Sequence, residues 1–356
     1  MPKRFQNIDF ISVILWLFRT AIILIVIWGT FAKIFLGRGN AYTVSDWIDF
    51  AVSGLAQGSL YALIALGYTL VYGVLFMINF AHGEFFMSGA MTATIFVALP
   101  LSASGLLDAY PFLGLLAIFA TSMLVSVGIA VLTERVAYRP LRRAPRLVPL
   151  ITAIGASFFW QYFFSGLYGS SLVAFPELEI LQGRYVFGSV EILKTRAVVM
   201  VASVIMLIGL YFFVMRTKTG TAIRAVAEDK DVAALMGIDV DRTITITFAT
   251  GAAMAGAAGV LWGLVFRQVH FFMGFVPGIK AFTAAVLGGI GSIPGAALGG
   301  LFLGFIEAIG PPLFLEGLNI PGGHQLKDVI AFTMLVMVLI FRPQGIIGER
   351  LSEKKA

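Results

Sequence analysis

The chain contains no cysteine among its 356 residues. Disulfide bonds, thiolate metal sites and cysteine nucleophiles are therefore excluded. Its three histidines, His82, His270 and His324, lie far apart and do not have the spacing of a helical zinc site. No phosphate-binding Gly-x4-Gly-Lys-Ser/Thr loop and no Gly-x-Ser-x-Gly nucleophile motif occurs. These absences argue against an enzyme, and we expect no cofactor in this chain.

Charge is scarce as well. Only 12% of the residues are charged and 59% are hydrophobic, whereas a soluble domain carries about 25% charged residues. This composition excludes a soluble enzyme. The net charge of +6 would suggest a nucleic-acid partner in a soluble protein. In a membrane protein it is explained by cationic loops on the cytoplasmic side, so we expect a lipid bilayer and no nucleic acid.

Long apolar runs recur from end to end, and a helix needs about 20 apolar residues to cross a bilayer. Two further pieces, 71–82 and 270–291, are apolar but interrupted by Gly, Pro or polar residues, as in half-helices or re-entrant turns. We predict an all-α polytopic membrane protein with about nine transmembrane helices, including broken or re-entrant segments. The nine predicted spans are 10–36, 50–70, 83–100, 110–133, 148–168, 197–215, 243–266, 295–310 and 327–341.

Loop charge predicts the orientation. Lys and Arg are concentrated in 134–147, in 216–242 and after Phe341, whereas 101–109 has none. The three cationic regions are expected in the cytoplasm, and the span parity then requires 270–291 to cross at least part of the membrane. Lys3 and Arg4 precede an apolar stretch as in a signal peptide, but this stretch is longer than the usual 7–15 residues. We favour an uncleaved first helix.

The 39 glycines include several in rows of small residues at four-residue spacing: Gly251, Ala255, Gly259 and Gly263 in one span, and later Gly291, Gly295 and Gly299 as well as Gly300 and Gly304. Such faces indicate close helix packing or a smooth path for a solute, and the pattern does not separate the two. The segment 291–295, Gly-Ser-Ile-Pro-Gly, predicts a break between two helices.

Polar residues at membrane depth are candidates for function because they are costly there. Asn79, His82 and Glu84 form the densest group. They predict either a substrate path or gate, or a helix start near the cytoplasmic interface where the dipole favours Glu84. Gln57 offers a hydrogen bond to a zwitterionic solute or to another helix. Lys280 has three possible partners: a substrate carboxylate, an acid such as Glu307, or the membrane interface.

The loop 216–242 differs from 134–147 because its cations and acids are balanced. Val232, Leu235 and Met236 fall at i, i+3 and i+4 and predict one apolar stripe on a short helix that Gly237 ends. Glu228, Asp229 and Asp231 crowd the expected first turn. This helix suits the groove of a partner protein, although an ordinary solvated connector has the same composition.

Several motifs together resemble the LivH-type permease family of branched-chain amino-acid importers. They are Gly-Ser-Leu-Tyr-Ala-Leu-Ile-Ala-Leu-Gly-Tyr-Thr (58–69), Asn-Phe-Ala-His-Gly-Glu (79–84), Glu-Arg-Val-Ala-Tyr-Arg-Pro-Leu-Arg (134–142), Arg-Ala-Val-Ala-Glu-Asp (224–229), Ala-Leu-Met-Gly-Ile (234–238) and the segment 280–296. Asp231-Val232-Ala233-x3-Gly237 is similar to a degenerate Glu-Ala-Ala-x3-Gly loop of ABC-importer permeases. The resemblance covers about 48–348, so 1–47 is expected to be an N-terminal extension with an extra transmembrane helix, and 349–356 a cytoplasmic tail.

The resemblance implies one subunit of an ATP-driven importer in a bacterial inner membrane. Its implied partners are a second homologous permease, two cytoplasmic ATPases that bind ATP and Mg, and a periplasmic binding protein. The implied substrates are leucine, isoleucine and valine, with urea, amides or another small solute as the alternative. An autonomous secondary transporter and a non-transporting scaffold are the rivals from other classes.

The same resemblance implies roles for particular residues. ATP binding in the partners would move 224–238 and switch the access of the pore. The residues expected to couple to the ATPases are Arg224, Glu228, Asp229, Asp231, Ala233, Leu235, Met236 and Gly237. Those expected on the translocation path or gate are Gln57, Asn79, His82, Glu84 and Lys280.

Overall fold

A computed structural model describes residues 10–142, 144–145, 147–187, 190–342 and 344–347. The predicted tail 349–356 and the cations Lys3 and Arg4 lie outside the described residues. Within them the chain is almost entirely helical. The α-helices are α1 Phe10–Leu36, α2 Val44–Leu75, α3 His82–Ala93, α4 Leu99–Ala103, α5 Leu106–Ala109, α6 Pro111–Thr133, α7 Leu147–Tyr168, α8 Lys194–Arg216, α9 Lys218–Glu228, α10 Lys230–Leu235, α11 Val240–Phe266, α12 Phe275–Gly288, α13 Ile293–Gly310 and α14 Lys327–Phe341.

Short helical turns of other types extend or connect these helices. Three are π-helical, at Thr94–Ala98, Glu134–Tyr138 and Pro311–Leu315, and three are 3-10 turns, at Arg139–Leu141, Glu179–Leu181 and Gly323–Leu326. Two consecutive prolines such as Pro311 and Pro312 would normally end a helix. Instead α13 continues as a π turn, because a wider turn accommodates residues that have no N–H to donate.

In the described residues eight helices are long and apolar enough to cross a membrane. Each coincides with one of the first eight predicted spans. The ninth predicted span, 327–341, is helical over those residues as α14 but has only 15 residues, so it falls short of a full crossing by length. The broken segment 270–291 contains the short apolar helix α12, and the predicted break at 291–295 falls between α12 and α13.

The strands mark one end of the helix bundle, which we call the hairpin end. β1 (Val173–Ala174) pairs antiparallel with β4 (Gln268–Val269), and β2 (Arg184–Phe187) pairs with β3 (Val190–Leu193). The loop before α8 and the residues after α11 therefore meet at the same end. The opposite end carries α9 and α10, where Lys230 lies over the Phe76 ring at the end of α2. This arrangement agrees with the alternating direction of the spans that the loop charges predicted.

Helix α2 is the centre of the bundle, and glycines let its neighbours approach closely. A Cβ added at Gly304 of α13 would lie 2.3 Å from the Gly58 Cα of α2, and one added at Gly251 of α11 would lie 3.1 Å from the Gly67 Cα. The spaced glycines of α11 and α13 therefore pack helix against helix. Gly291 does not share this role, because it lies in the turn before α13 with a φ of +100°.

We predict that Gly304→Ala weakens the contact between α2 and α13. The new methyl group would overlap backbone atoms that cannot move independently, so we expect a loss of about 1–3 kcal/mol in unfolding free energy. Gly209→Ala in α8 is the control, because nothing lies within 4 Å of its added Cβ. Thermal unfolding of both purified variants tests the prediction, and equal stability would contradict it.

Helix α1 is attached to the bundle at the hairpin end. A Cβ added at Gly317 would lie 1.9 Å from the Gly29 carbonyl oxygen. Close by, Lys33 Nζ donates to Glu316 over 2.9 Å, and the Tyr42 hydroxyl donates to the same carboxylate over 2.7 Å. Burial raises the pKa of Glu316, but the hydrogen bonds from Tyr42, Lys33 and the Asn40 amide outweigh it, so the net pKa is below its usual value.

We predict that the attachment of α1 depends on pH. Because the folded pKa of Glu316 is depressed, its stabilisation is present above the usual value of 4.5 and is lost as the pH falls through the lower folded pKa. Glu316→Gln should reduce stability by about 1–2 kcal/mol at neutral pH and by less below pH ~4. Thermal unfolding across this range measures the difference, with the exposed Glu191→Gln as control. A difference that is independent of pH would refute the assignment.

Candidate functional site

The first polar cluster lies where α2 gives way to α3. Helix α2 ends at Leu75, and Phe76 adopts the left-handed conformation with a φ of 53°. Asn79 holds the connection: its Oδ1 accepts from the Ala81 amide over 3.1 Å and from the Tyr138 hydroxyl over 2.6 Å. The break in the helix is therefore tied to the turn that follows α6.

His82 begins α3 inside the protein, with 1% of its surface exposed. Its ring packs on Tyr68, with 4.8 Å between the ring centroids. A Cβ added at Gly67 would lie 2.2 Å from the His82 Nε2, so the glycine makes room for the imidazole. This Nε2 has no hydrogen-bond partner among the described residues.

Glu84 lies in the first turn of α3 and is fully buried. Its Oε1 accepts from Ser157 Oγ over 3.0 Å and from Gln161 Nε2 over 2.8 Å, both on α7. Its Oε2 is without a partner in the described part of the chain, and a Cβ added at Gly274 would lie 3.0 Å from it. The predicted helix start is confirmed, but it lies in the interior, against the beginning of α12.

A second polar cluster contains Lys280 and Gln57. Lys280 Nζ bonds to Glu307 Oε1 and lies 2.6 Å from Asp328 Oδ1. Gln57 Nε2 donates to the Tyr61 hydroxyl over 2.5 Å, and the Lys280 Nζ lies 5.7 Å from the centroid of the Tyr61 ring. Of the partners considered for Lys280, the acid Glu307 is the one observed. The five predicted path residues thus form two clusters, with Asn79, His82 and Glu84 in the other.

Sequence reasoning did not select Tyr138, Gln161, Ser157 or Asp328 for the site. These residues come from distant parts of the chain, and no local spacing links them to the 79–84 motif or to Lys280. One signal was present in α2. Gln57, Tyr61, Tyr68 and Tyr72 are separated by four, seven and four residues, which places them on one face of a helix.

The loop 216–242 contains two helices, α9 and α10, where a single short helix was expected to couple to a partner over 224–238. Asp229 separates them, because this residue is extended and caps α10 by accepting from the Asp231 and Val232 amides. The predicted end at Gly237 is confirmed, with a φ of +84°. The apolar stripe is confirmed too, since Val232, Leu235 and Met236 are 53%, 86% and 78% exposed.

The remaining predicted coupling residues surround this stripe. Ala233 is buried beneath it, and Glu228 and Asp231 are exposed. Arg224 donates to the Met215 carbonyl oxygen at the end of α8 over 3.5 Å. Partial burial is the main cause of a lowered pKa at the neighbouring Lys230, and the positive charge of the Arg142 guanidinium lowers this pKa further.

A cluster of ion pairs lies at the α9–α10 end of the molecule. Arg142 bonds to the buried Glu134 and to Asp241, which also bonds to Arg139. Thr245 donates to the other oxygen of Glu134 over 3.0 Å. These contacts join the turn after α6 to the start of α11, and Tyr138 in the same turn reaches Asn79. The turn therefore links the start of α11, at the α9–α10 end, to the α2–α3 break.

We predict that Tyr138 and Asn79 act as a pair. Tyr138→Phe should lower the unfolding free energy by about 0.5–1.5 kcal/mol through loss of one hydrogen bond. After Asn79→Ala the same change should cost less, because its partner is already gone. Thermal unfolding of the two single variants and the double variant measures the coupling, and Tyr162→Phe on the exposed face of α7 is the control. Additive effects would show that the pair is not coupled.

Among the described residues there is no group of three or more His, Asp or Glu side chains placed to hold a metal ion. The site instead combines buried polar groups at a helix break with an exposed apolar helix on a loop. Together with the eight long apolar helices, these features define a multi-pass membrane protein with the architecture of a transporter.

Comparison with known proteins narrows this class. Residues 50–339 match the family described as branched-chain amino acid transport system / permease component. The chain belongs to this family, as its motifs predicted.

Similar proteins include the high-affinity branched-chain amino acid transport system permease BraD of Pseudomonas aeruginosa. It is 47% identical over 87% of this chain and 99% of its own length. LivH of Escherichia coli K12, of the same description, is 42% identical over 85% of this chain and 96% of its own length. A more distant relative is the autoinducer 2 import system permease LsrD of Salmonella paratyphi B, 27% identical over 40% of this chain and 44% of its own length.

Proposed function

We propose that this chain is the permease subunit of an ATP-driven importer that carries leucine, isoleucine and valine across a bacterial inner membrane. The observation that carries the proposal is the similarity to BraD and LivH over nearly the full length of both relatives. The C-terminus and the α9–α10 end face the cytoplasm in this proposal, in agreement with the Lys/Arg-rich loops.

The proposed machine contains further chains. A second homologous permease completes the pore, two cytoplasmic ATPases bind ATP and Mg, and a periplasmic protein delivers the substrate. The exposed apolar stripe of α10 supports an ATPase contact, because side chains as exposed as Leu235 and Met236 are costly in water and suit a partner's groove. The charged residues around it, Arg224, Glu228, Asp229 and Asp231, form the polar rim.

Within this chain, 48–348 form the permease domain and 1–47 an extension that adds α1. The α2–α3 break with Asn79, His82 and Glu84 is the proposed gate, and Gln57 and Lys280 lie on the proposed path. Broken helices near the middle of a membrane are typical of transport sites. The Tyr138–Asn79 bond gives the cytoplasmic loops a direct contact with the gate.

A permease for urea, amides or another small organic solute is the alternative. The similarity to LsrD favours keeping it, because an import permease for a different solute has a related sequence. The gradient of identity, 47% against 27%, supports branched-chain amino acids as the substrate.

Reconstituted transport tests the proposal. The complex that co-purifies with this chain should take up leucine into proteoliposomes only when ATP and the binding protein are both supplied. Uptake by this chain alone, without ATPases, would indicate an autonomous transporter. ATP-dependent uptake of another solute in place of branched-chain amino acids would support the alternative.

We predict that Leu235→Asp with Met236→Asp removes the ATPase contact. Two carboxylates in an apolar groove should cost about 2–4 kcal/mol of association energy, which weakens co-purification of the ATPases and abolishes ATP-driven uptake. Leu172→Asp with Ile180→Asp is the matched control, because both residues are exposed at the opposite end. This control should retain the ATPases. Unchanged association in the α10 variant would eliminate the coupling model.

A further inference from the structure

We propose that Lys280, Glu307 and Asp328 bind the charged head group of a zwitterionic amino acid as it passes through this chain. This inference rests on the proposed function and names the chemistry of one site within it. The three charges come from three helices, α12, α13 and α14, and they converge on one point.

The cluster is poorly matched to a purely structural role. Lys280 and Glu307 are each 3% exposed, and removal of charged groups from water is costly unless each is fully paired. One ammonium serves two carboxylates here, so the cluster has an excess negative charge. The Glu307 Oε2 is buried and has no hydrogen-bond partner among the described residues. The cluster therefore contains an acceptor atom without a donor, and an ammonium group of a ligand would supply that donor.

A zwitterion supplies this donor and leaves the net charge of the cluster unchanged. Its ammonium group would bond to Glu307 and Asp328, and its carboxylate would bond to Lys280 in exchange. Charge-assisted hydrogen bonds of this kind are the strong ones in proteins. The Asp328 side chain, 43% exposed at the start of α14, leaves the cluster open to the surface.

Uncharged side chains lie beside the cluster and continue along α2. The cluster lies beside Gln57 and Tyr61 of α2, on the helix face that continues to Tyr68 and Tyr72. Tyr68 is two turns, or about 10 Å, closer to the α9–α10 end. There a narrow crevice is lined by apolar and aromatic side chains: Tyr68, Tyr72, Met77, Ile78, Phe282 and Ile290. The α2 face therefore leads from the charged cluster to apolar side chains in the direction of the α9–α10 end.

Ligands that carry only half of the head group test the assignment. Leucinamide keeps the ammonium group but lacks the carboxylate, and 4-methylpentanoate keeps the carboxylate but lacks the ammonium group. Binding of leucine and both analogues is measured by calorimetry on the detergent-purified complex without its binding protein. The wild-type complex should bind leucine at least about tenfold more tightly than either analogue. Equal affinities, or undetectable leucine binding, would overturn the proposal without any variant.

Two variants then separate recognition from architecture. Lys280→Gln should weaken leucine and 4-methylpentanoate by about tenfold or more and change leucinamide by less than about twofold. Glu307→Gln should weaken leucine and leucinamide and spare 4-methylpentanoate. Lys194→Gln and Glu191→Gln, at the hairpin end outside the cluster, are the controls. An equal loss for all three ligands, or no loss, would show that the cluster only holds the helices together.

The two proposals fail in different ways. If the wild-type complex takes up no branched-chain amino acid with ATP and binding protein present, the proposed function is wrong. If uptake occurs but binding shows no dependence on the head group, only the role of Lys280, Glu307 and Asp328 is wrong.

Discussion

The structure depends on one constraint: inside a bilayer, backbone polar groups must find partners within the protein. Long helices meet this constraint by themselves, and each break must be covered. At the α2–α3 break the Asn79 side chain and carbonyl accept from Ala81 and His82. At the α12–α13 break the chain after α14 returns, and the Ile346 and Ile347 amides donate to the carbonyls of Leu287 and Gly288. Glycine contacts along α2 bring these elements close enough to enclose the breaks.

The same constraint explains where the few charges lie. Charges in the interior are grouped with opposite charges or strong donors, as with Glu84 beside Gln161 and Lys280 between two acids. Charges at the α9–α10 end form ion pairs around Arg142. Between the two, the Tyr138–Asn79 bond connects the loops of the α9–α10 end to the interior. In the proposed importer, this connection would carry movement at a partner's surface to the path of the solute.

Much of the fold could be predicted from the sequence. The nine apolar runs are helices, and the stripe of Val232, Leu235 and Met236 is exposed, because a period of 3.6 residues and the length of a bilayer are local properties. The break within 224–238 was not predicted. The break arises because Asp229 caps a new helix. Aspartate is favoured both at the N-cap and in the first turn of a helix, so its presence does not show which of the two it occupies. The π turn Pro311–Leu315 was not predicted either, because two consecutive prolines usually end a helix.

By itself the sequence determined the membrane class, the helical spans and the exposed apolar stripe of α10, since composition and periodicity encode these directly. Its motifs, by their resemblance to known permeases, identified the family. Only the tertiary structure decided the partners of the buried polar groups. Three partners were possible for Lys280, and the packing of α12 against α13 and α14 places it beside Glu307 and Asp328. Glu84 likewise depends on α7, more than seventy residues away. Which distant residues become partners depends on how the helices pack, and the local spacing of residues in the sequence does not reveal it.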